Sequence, residues 1–338
     1  MTDRSVLVHI GPFKTGTTAI QTVMHRNREV LDEHGIHYMG ASLQPTAAVK
    51  AATGRTPEGP ERDAGLKKWR RLVRKAAAHD KVLLSSEFLC EADDAAAASI
   101  LADLGVDDCR VVVTLRPLAN VMTSQWQQHV QTGAGHTLDE WLTSVLDEPS
   151  GAYGARFWQR HRHDVLAARW ARVVGPERLT LLVVDPREPT QLTEAFLDML
   201  DLPPGLLQPI HDGANRSMTW EEIEAIRQFN LLFRADNEAA DAAGEARTVW
   251  PALDRLRTWV RLKRTTPGPS EHKIALPEEY APRVGELAAE IVAGLQAPGY
   301  RVVGDLSALL DVRTGPRGPA QLPPEVTGRV IHAAWHRH

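Results

Sequence analysis

The stretch that decides the fold of this chain covers residues 9–18 and reads HIGPFKTGTT. It follows a β-branched apolar run at residues 6–10 and precedes a helical pattern that starts at Thr17. A glycine-rich turn between a strand and a helix directs free backbone N–H groups and the positive end of the helix dipole at one place. The sequence therefore predicts an anion-binding loop at the end of the first strand.

Four further segments resemble the strand before this loop, because each is a short, continuous apolar run. Such runs are typical of strands that are covered on both faces of a sheet. The predicted strands cover residues 6–10, 36–39, 81–85, 110–115 and 179–184. Helical patterns lie among them at residues 17–33, 65–78, 138–146, 155–174 and 191–200. Strands alternating with helices predict an α/β fold, a single domain with a central parallel sheet flanked by helices.

The composition excludes several classes of protein. The 338 residues are 43% hydrophobic and 24% charged, which argues against disorder. A formal net charge of −4 removes the electrostatic argument for a nucleic-acid binder. Two cysteines, Cys90 and Cys109, are too few for a disulfide scaffold or a four-cysteine zinc site. We find neither a signal-peptide core nor a run near the ~20 apolar residues of a membrane span, so we expect a cytoplasmic protein.

The loop differs in one respect from the phosphate loop of nucleoside-triphosphate enzymes, G-x-x-x-x-G-K-[ST]. Its two glycines have the same spacing, but Thr17 occupies the lysine position and Lys14 lies inside the loop. Those enzymes also need an acidic strand end to help hold magnesium. The run at 110–115 is instead followed by Arg116. The loop is thus suited to an anion, but a triphosphate with magnesium is not favoured.

The loop resembles the phosphosulfate-binding loop of sulfotransferases that use 3′-phosphoadenylyl sulfate (PAPS), which usually reads P-K-[ST]-G-T-[ST]. In this chain Phe13 stands between the proline and the lysine. A second signature of that family is an arginine that leaves a strand, with a serine eight positions later. Arg116 and Ser124 have this spacing. The resemblance covers roughly residues 5–306 and is to bacterial members of the carbohydrate-modifying branch. It implies a sulfotransferase fold similar to that of P-loop nucleoside triphosphatases.

The resemblance also implies binding roles for residues of both motifs. The residues implied to contact PAPS are Lys14, Thr15, Gly16, Thr17, Thr18, Arg116 and Ser124. The last two would hold the 3′-phosphate, for which arginine supplies a planar donor fork and serine a hydroxyl. Lys14 would also stabilise the charge that develops on the departing nucleotide, 3′-phosphoadenosine 5′-phosphate (PAP). The implied chemistry requires no metal.

The reaction needs a general base, because the acceptor must lose a proton as it attacks sulfur. Glu87 closely follows the predicted strand at 81–85, and a glutamate base occurs in the carbohydrate-modifying branch. The branch that acts on small phenols uses a histidine, and four histidines compete for the role: His9, His129, His161 and His163. We select Glu87 as the base and His9 as its first alternative. The segment 161–163 is expected on a solvated, charged helix face.

We therefore expect a sulfotransferase domain over residues 1–310, with a mobile, irregular insertion at about 235–272 that contains a helix, and a loosely held extension over 311–338. The expected activity is transfer of a sulfuryl group from PAPS to a small-molecule or glycan acceptor. Two alternatives stay open: a nucleotide kinase or other phosphoryl transferase, and a catalytically idle module that binds PAP. His332 and His336 could share a helix face, but a surface tail explains them better than a metal site.

Overall fold

The computed structural model describes residues 4–105, 107, 109–210, 216–243, 252–296, 299–318 and 321–335. The contacts between residues divide the chain into two compact units. The first unit comprises Met1–Leu118, Arg156–Ile210 and Gly285–Asp311, and the second comprises Ala119–Ala155, His211–Val284 and Val312–His338. The expected boundary between residues 310 and 311 stays a prediction.

The first unit contains a six-stranded sheet in which every pair of neighbouring strands is parallel. The strands are β1 (Ser5–Ile10), β2 (Ile36–Tyr38), β3 (Lys81–Ser85), β4 (Cys109–Leu115), β5 (Leu179–Val183) and β6 (Arg301–Val303), in the order β2-β3-β1-β4-β5-β6. The predicted α/β class, with a central parallel sheet, is confirmed, and so are all five predicted strands. The sequence missed β6, because this short edge strand is largely exposed and has no continuous apolar run.

Helices flank the strands along the chain. They are α1 (Thr17–Arg26), α2 (Arg28–Glu33), α3 (Thr46–Ala52), α4 (Pro60–Ala76), α5 (Asp94–Leu104), α6 (Leu118–Gln131), α7 (Leu138–Leu146), α8 (Ala152–His161), α9 (His163–Val174), α10 (Gln191–Met199), α11 (Trp220–Ala243), α12 (Ala252–Lys263), α13 (Ala281–Gln296) and α14 (Pro324–Trp335). Within the described ranges, no helix combines the length and the apolar character needed to cross a membrane.

Two predicted helices are each interrupted. The helix predicted over residues 17–33 breaks at Asn27, whose φ of −106° and ψ of 28° leave the helical region. The helix predicted over 155–174 breaks at Arg162, where ψ is 77°. The break changes the helical phase, so that His161 and His163 are both buried. The prediction of a solvated face at 161–163 is therefore wrong.

The apolar core of the first unit fixes where α1 begins. Side chains from five neighbouring strands form one buried cluster with residues of α1 and α10, including Leu7, Tyr38, Leu83, Val112, Leu182, Ile20, Met24 and Phe196. Each large side chain in such a cluster contributes roughly 1.5–3 kcal/mol by leaving water. The packing holds α1 against the sheet and places the loop before it at the carboxyl end of β1.

The second unit is helical in the parts that the structure describes. Here α14 packs on α11 and α12, with Val326 fully buried. Arg329 of α14 lies 3.2 Å from Glu222 and 2.7 Å from Glu271. The expectation of a loosely held tail is therefore wrong for residues 324–335. The insertion predicted at about 235–272 contains helix, as expected, in the end of α11 and in α12, and its mobility stays a prediction. His336 lies outside the described residues.

Candidate active site

The loop between β1 and α1 lies at the centre of the sheet, because β1 pairs with β3 on one side and with β4 on the other. Lys14 has a φ of 69° and Gly16 a φ of 96°, so both adopt the left-handed conformation. For a lysine this conformation costs about 1–2 kcal/mol. Turns with left-handed residues form concave rows of N–H groups that bind anions, and strain of this kind is concentrated at functional sites.

The start of α1 leaves polar groups available to a ligand. Gly16 precedes the helix and provides no side-chain cap. The N–H of Ala19 donates to the carbonyl oxygen of Gly16 across 3.0 Å, so the N–H groups of Thr17 and Thr18 are the ones that need another partner. The hydroxyl Oγ1 of Thr17 is buried and has no hydrogen-bond partner among the described residues. A Cβ at Gly11 would lie 1.9 Å from this Oγ1, so only glycine fits there. These groups fit a phosphate or sulfate, which accepts hydrogen bonds from N–H and O–H donors.

Arg116 brings positive charge to the same loop. It follows β4, is half-buried, and donates a hydrogen bond from Nη1 to the carbonyl oxygen of Lys14 across 3.1 Å. Burial lowers the pKa of Arg116 from its ordinary value, but an arginine keeps its proton at neutral pH. Among the described residues, no carboxylate forms an ion pair with it. The guanidinium is therefore an uncompensated cation beside the anion-binding turn.

Ser124, the second member of the arginine–serine signature, lies on α6 and is half-buried. The helix begins directly after Pro117, and Ser124 falls in the part of it that belongs to the second unit. Its role toward a nucleotide stays a prediction.

Glu87 begins a 3-10 turn that follows β3. Ser86 Oγ donates a hydrogen bond of 2.6 Å to Gln44 Oε1, and Gln44 Nε2 donates one of 3.4 Å to Glu87 Oε1. Burial raises the pKa of the Glu87 carboxyl, although the Gln44 hydrogen bond and the charges of Lys14 and Arg160 oppose this shift. The structure thus brings Glu87 within electrostatic range of the loop lysine, and the raised pKa suits a proton acceptor.

His9 occupies a different environment from Glu87, because it is fully buried within the sheet. Its Nδ1 lies 2.8 Å from Ser85 Oγ, and its Nε2 lies 3.3 Å from Thr114 Oγ1. Burial lowers the pKa of His9 to about 3, so the imidazole is neutral. Thr114 is also hydrogen-bonded to Thr15 Oγ1 across 2.8 Å. His9 is therefore connected to the loop residue Thr15 through the hydroxyl group of Thr114.

Two residues near Glu87 carry no sequence motif. Gln44 precedes α3, and Arg160 lies on α8, far along the chain. The Arg160 guanidinium stacks over the ring of Phe13, 3.9 Å from its centroid, and its Nε donates a hydrogen bond of 2.7 Å to Glu91 Oε1. Phe13, the residue that departs from the usual loop pattern, was the one feature of the sequence that could have pointed to Arg160. Its side chain packs against this arginine, which explains an aromatic residue at that position.

The other candidate residues occupy separate places. Thr18 is exposed on the first turn of α1. His161 and His163 are buried, and burial lowers the pKa of both imidazoles, that of His163 to about 4. His129 lies on α6, in the second unit. Within the described ranges, no three His, Cys, Asp or Glu side chains form a group that could hold a metal ion.

Comparisons with known proteins add a likeness in structure. No protein-family model matches the sequence, and no curated protein matches it significantly. Among solved structures, the chain is similar to a sulfotransferase from Alicyclobacillus acidocaldarius. The two share 14% sequence identity with a TM-score of 0.44, and the alignment covers 72% of this chain and 97% of the other. The chain's own fold is an α/β fold, in which a glycine-rich loop with two left-handed residues follows the central strand β1.

Proposed function

We propose that this protein is a PAPS-dependent sulfotransferase, which transfers a sulfuryl group to a hydroxyl or an amine of a small-molecule or glycan acceptor. One observation carries the proposal: an anion-binding loop contains a left-handed lysine, Lys14, within electrostatic range of a carboxyl group, Glu87, whose pKa is raised. A cation that meets the leaving group and a base that meets the acceptor are the two groups that such a transfer needs.

The donor's anionic groups are divided between two parts of the site. The loop residues Lys14, Thr15, Gly16, Thr17 and Thr18 would hold the 5′-phosphosulfate. The unpaired Thr17 hydroxyl and the uncapped start of α1 support this assignment. Arg116 would hold the 3′-phosphate, since its guanidinium has no carboxylate partner among the described residues, and Ser124 would add a hydroxyl donor.

The residues act on opposite sides of the sulfur. Glu87 accepts the proton of the acceptor as the acceptor's oxygen or nitrogen forms its new bond to sulfur. The bond from sulfur to the bridging phosphate oxygen breaks, and its electron pair stays on the departing PAP. Lys14 donates a hydrogen bond to that oxygen as negative charge grows on it, which stabilises the transition state more than the ground state.

The alternatives have weaker support. A nucleotide kinase would need a lysine after the second loop glycine and an acidic group to hold magnesium, whereas β4 is followed by Arg116. An idle PAP-binding module gives no reason for a half-buried glutamate with a raised pKa near Lys14. A cytoplasmic location stays a prediction.

Thermal unfolding with matched nucleotides tests the proposal. PAP should raise the melting temperature, because a ligand at about 100 times its Kd stabilises the native state by roughly 2.7 kcal/mol. AMP, which lacks only the 3′-phosphate, and ATP with magnesium should stabilise it much less. Equal shifts with PAP and AMP, or the largest shift with magnesium ATP, would contradict the assignment. Labelled PAPS with a panel of acceptors then separates the enzyme from an idle module.

A further inference from the structure

A large cavity lies along the free edge of β2 in the first unit. Its volume is about 1080 Å³, and its walls are α2, β2, residues 40–48 and α4. This is slightly above the roughly 300–1,000 Å³ of small-molecule sites. The cavity includes residues at both ends of β2, and three residues of strand extend about 10 Å. Its size and length suit an extended ligand.

One wall of the cavity is cationic. Lys68, Arg71 and Lys75 of α4 line it, and all three are exposed. Their spacing of three and four residues places them on one helix face, over about 10 Å. None of the three forms an ion pair with another described residue. Asp32 is the one carboxylate among the described lining residues. The positive charges are therefore available to a ligand that carries several negative charges along its length.

The wall of the cavity contains a buried polar atom without a partner among the described residues. His37 lines it and is 6% exposed, and its Nε2 has no hydrogen-bond partner among the described residues. Its ring stacks on that of His79, with 4.3 Å between the centroids. Burial and the charges of His79 and Lys75 lower the pKa of His37 to about 4, so it offers a neutral hydrogen-bonding group. A buried polar atom of this kind favours a polar ligand.

One residue of the cavity wall connects it to the candidate base. Gln44 lines its rim, and the same side chain donates the hydrogen bond to Glu87 Oε1. The rim is fixed by Arg28, whose guanidinium donates hydrogen bonds to the carbonyl oxygens of Tyr38, across 2.7 Å, and of Ser42, across 3.0 Å. A chain bound along the cationic wall would therefore have one end near Glu87.

We propose that this cavity binds an acidic oligosaccharide, which is the acceptor of the transfer; this rests on the proposed function. A saccharide chain combines hydroxyl groups for Glu87 to deprotonate with carboxylates or sulfate esters at regular intervals. A single-stranded nucleic acid fits less well, because its bases stack on aromatic side chains. No phenylalanine, tyrosine or tryptophan is among the described lining residues. In the transfer, one hydroxyl oxygen forms the bond to the sulfur of PAPS, Glu87 takes its proton, and PAP leaves with the electron pair of the broken S–O bond.

An adjacent face of α4, about 100° around the helix, provides a matched control. Lys67, Arg70 and Arg74 are also exposed, and they line a separate surface depression with Asp103. The triple variant K68A/R71A/K75A and the triple variant K67A/R70A/R74A lose the same net charge from the same helix. Any general attraction between a basic helix and a polyanion falls equally in both, because such attraction depends on charge and not on position.

Binding is measured first, with oligomers of matched length. Alginate oligomers carry carboxylates, dextran sulfate oligomers carry sulfate esters, and dextran is neutral. The wild-type protein should bind one or both acidic oligomers and not dextran. K68A/R71A/K75A should weaken this binding about tenfold or more, and K67A/R70A/R74A by less than about threefold. Equal losses in both variants, or tighter binding of a single-stranded oligonucleotide of the same charge, would overturn the inference.

Transfer and PAP binding are measured on the same proteins. Labelled PAPS should transfer its sulfuryl group to the oligomer that binds, and KM for that oligomer should rise in K68A/R71A/K75A while the melting shift with PAP stays unchanged. Absence of transfer to a bound oligomer, with PAP binding intact and with transfer to another acceptor of the panel, would overturn the acceptor role alone. Absence of PAP binding would overturn the proposed function and the acceptor role with it, while the oligomer affinities would still decide whether the cavity is a saccharide site.

Discussion

The Arg116 guanidinium donates its 3.1 Å hydrogen bond to the backbone carbonyl of Lys14, so the end of β4 is tied to the loop that follows β1. A side chain proposed to bind phosphate thus also holds the turn proposed to bind the leaving group. This arrangement would make the two proposed anion sites interdependent. A substitution at one site should change binding at the other. A charge-preserving substitution of Arg116 can separate its binding of phosphate from its support of the loop.

Replacement of Arg116 should remove the preference for the 3′-phosphorylated nucleotide. A hydrogen-bonded charged contact contributes about 1.5–3 kcal/mol, so Arg116→Ala should lower PAP affinity roughly ten- to hundredfold. AMP affinity should fall much less. Arg116→Lys keeps the charge but loses the planar donor fork. Its PAP affinity should therefore lie between those of the wild type and Arg116→Ala. Isothermal titration calorimetry with PAP and AMP measures both affinities. An unchanged ratio of the two in Arg116→Ala would mean that Arg116 only supports the loop.

Glu87→Gln tests the general base. The substitution is nearly isosteric but cannot accept a proton, so turnover should fall by something like 10²–10⁴ while PAP affinity stays within about twofold. In the wild type, the rate should rise with pH as Glu87 loses its proton. Because burial raises the pKa of Glu87, this rise should be centred above the ordinary glutamate range. Steady-state kinetics across pH gives both results.

Two results for Glu87→Gln would contradict its role as the general base. Normal turnover would place the base elsewhere. Loss of PAP binding would make Glu87 a structural part of the nucleotide site.

Acid should destabilise the protein through its buried histidines. The pKa of His9 is about 3 in the folded state against 6.5 for an ordinary histidine. Between these values the unfolded state binds a proton that the folded state refuses, so stability falls as pH decreases below about 6.5. One such group contributes up to about 1.4 kcal/mol per pH unit. Urea unfolding between pH 4.5 and 6 should therefore show a slope that becomes shallower in His9→Gln. An identical slope in the variant would contradict a neutral, buried His9.

The sequence predicts the parallel sheet and its anion-binding loop because both have local signals. Continuous apolar runs mark the strands, and the two glycines around Lys14 mark the turn. The helix breaks at Asn27 and Arg162 have weaker local signals, and tertiary packing decides them. Edge strand β6 is short and largely exposed, so its sequence lacks the continuous apolar run that marks the other strands.

The site was only partly predictable for the same reason. Gln44 and Arg160 reach Glu87 and Phe13 through contacts between elements that are distant in the chain. The cationic face of α4 was hidden in the overall charge of −4, because acidic residues elsewhere compensate for it. Only the folded helix shows that Lys68, Arg71 and Lys75 share one wall of a cavity.

Lys14 allows the chemical role of a side chain to be separated from the strain of its backbone. Both Lys14→Ala and Lys14→Gly remove the amine, so both should lower turnover by roughly 10²–10³, the usual effect of losing one transition-state donor. PAP affinity should also fall in both. The stabilities should differ, because alanine keeps the strained φ of 69° and glycine does not. Relief of about 1–2 kcal/mol of strain exceeds the roughly 0.5–1 kcal/mol entropic cost of glycine, so Lys14→Gly should be the more stable variant by about 0.5–1 kcal/mol. Chemical denaturation and transfer assays on the pair check this. Turnover that survives in both variants would remove Lys14 from the leaving-group site, and a less stable Lys14→Gly would contradict the left-handed turn.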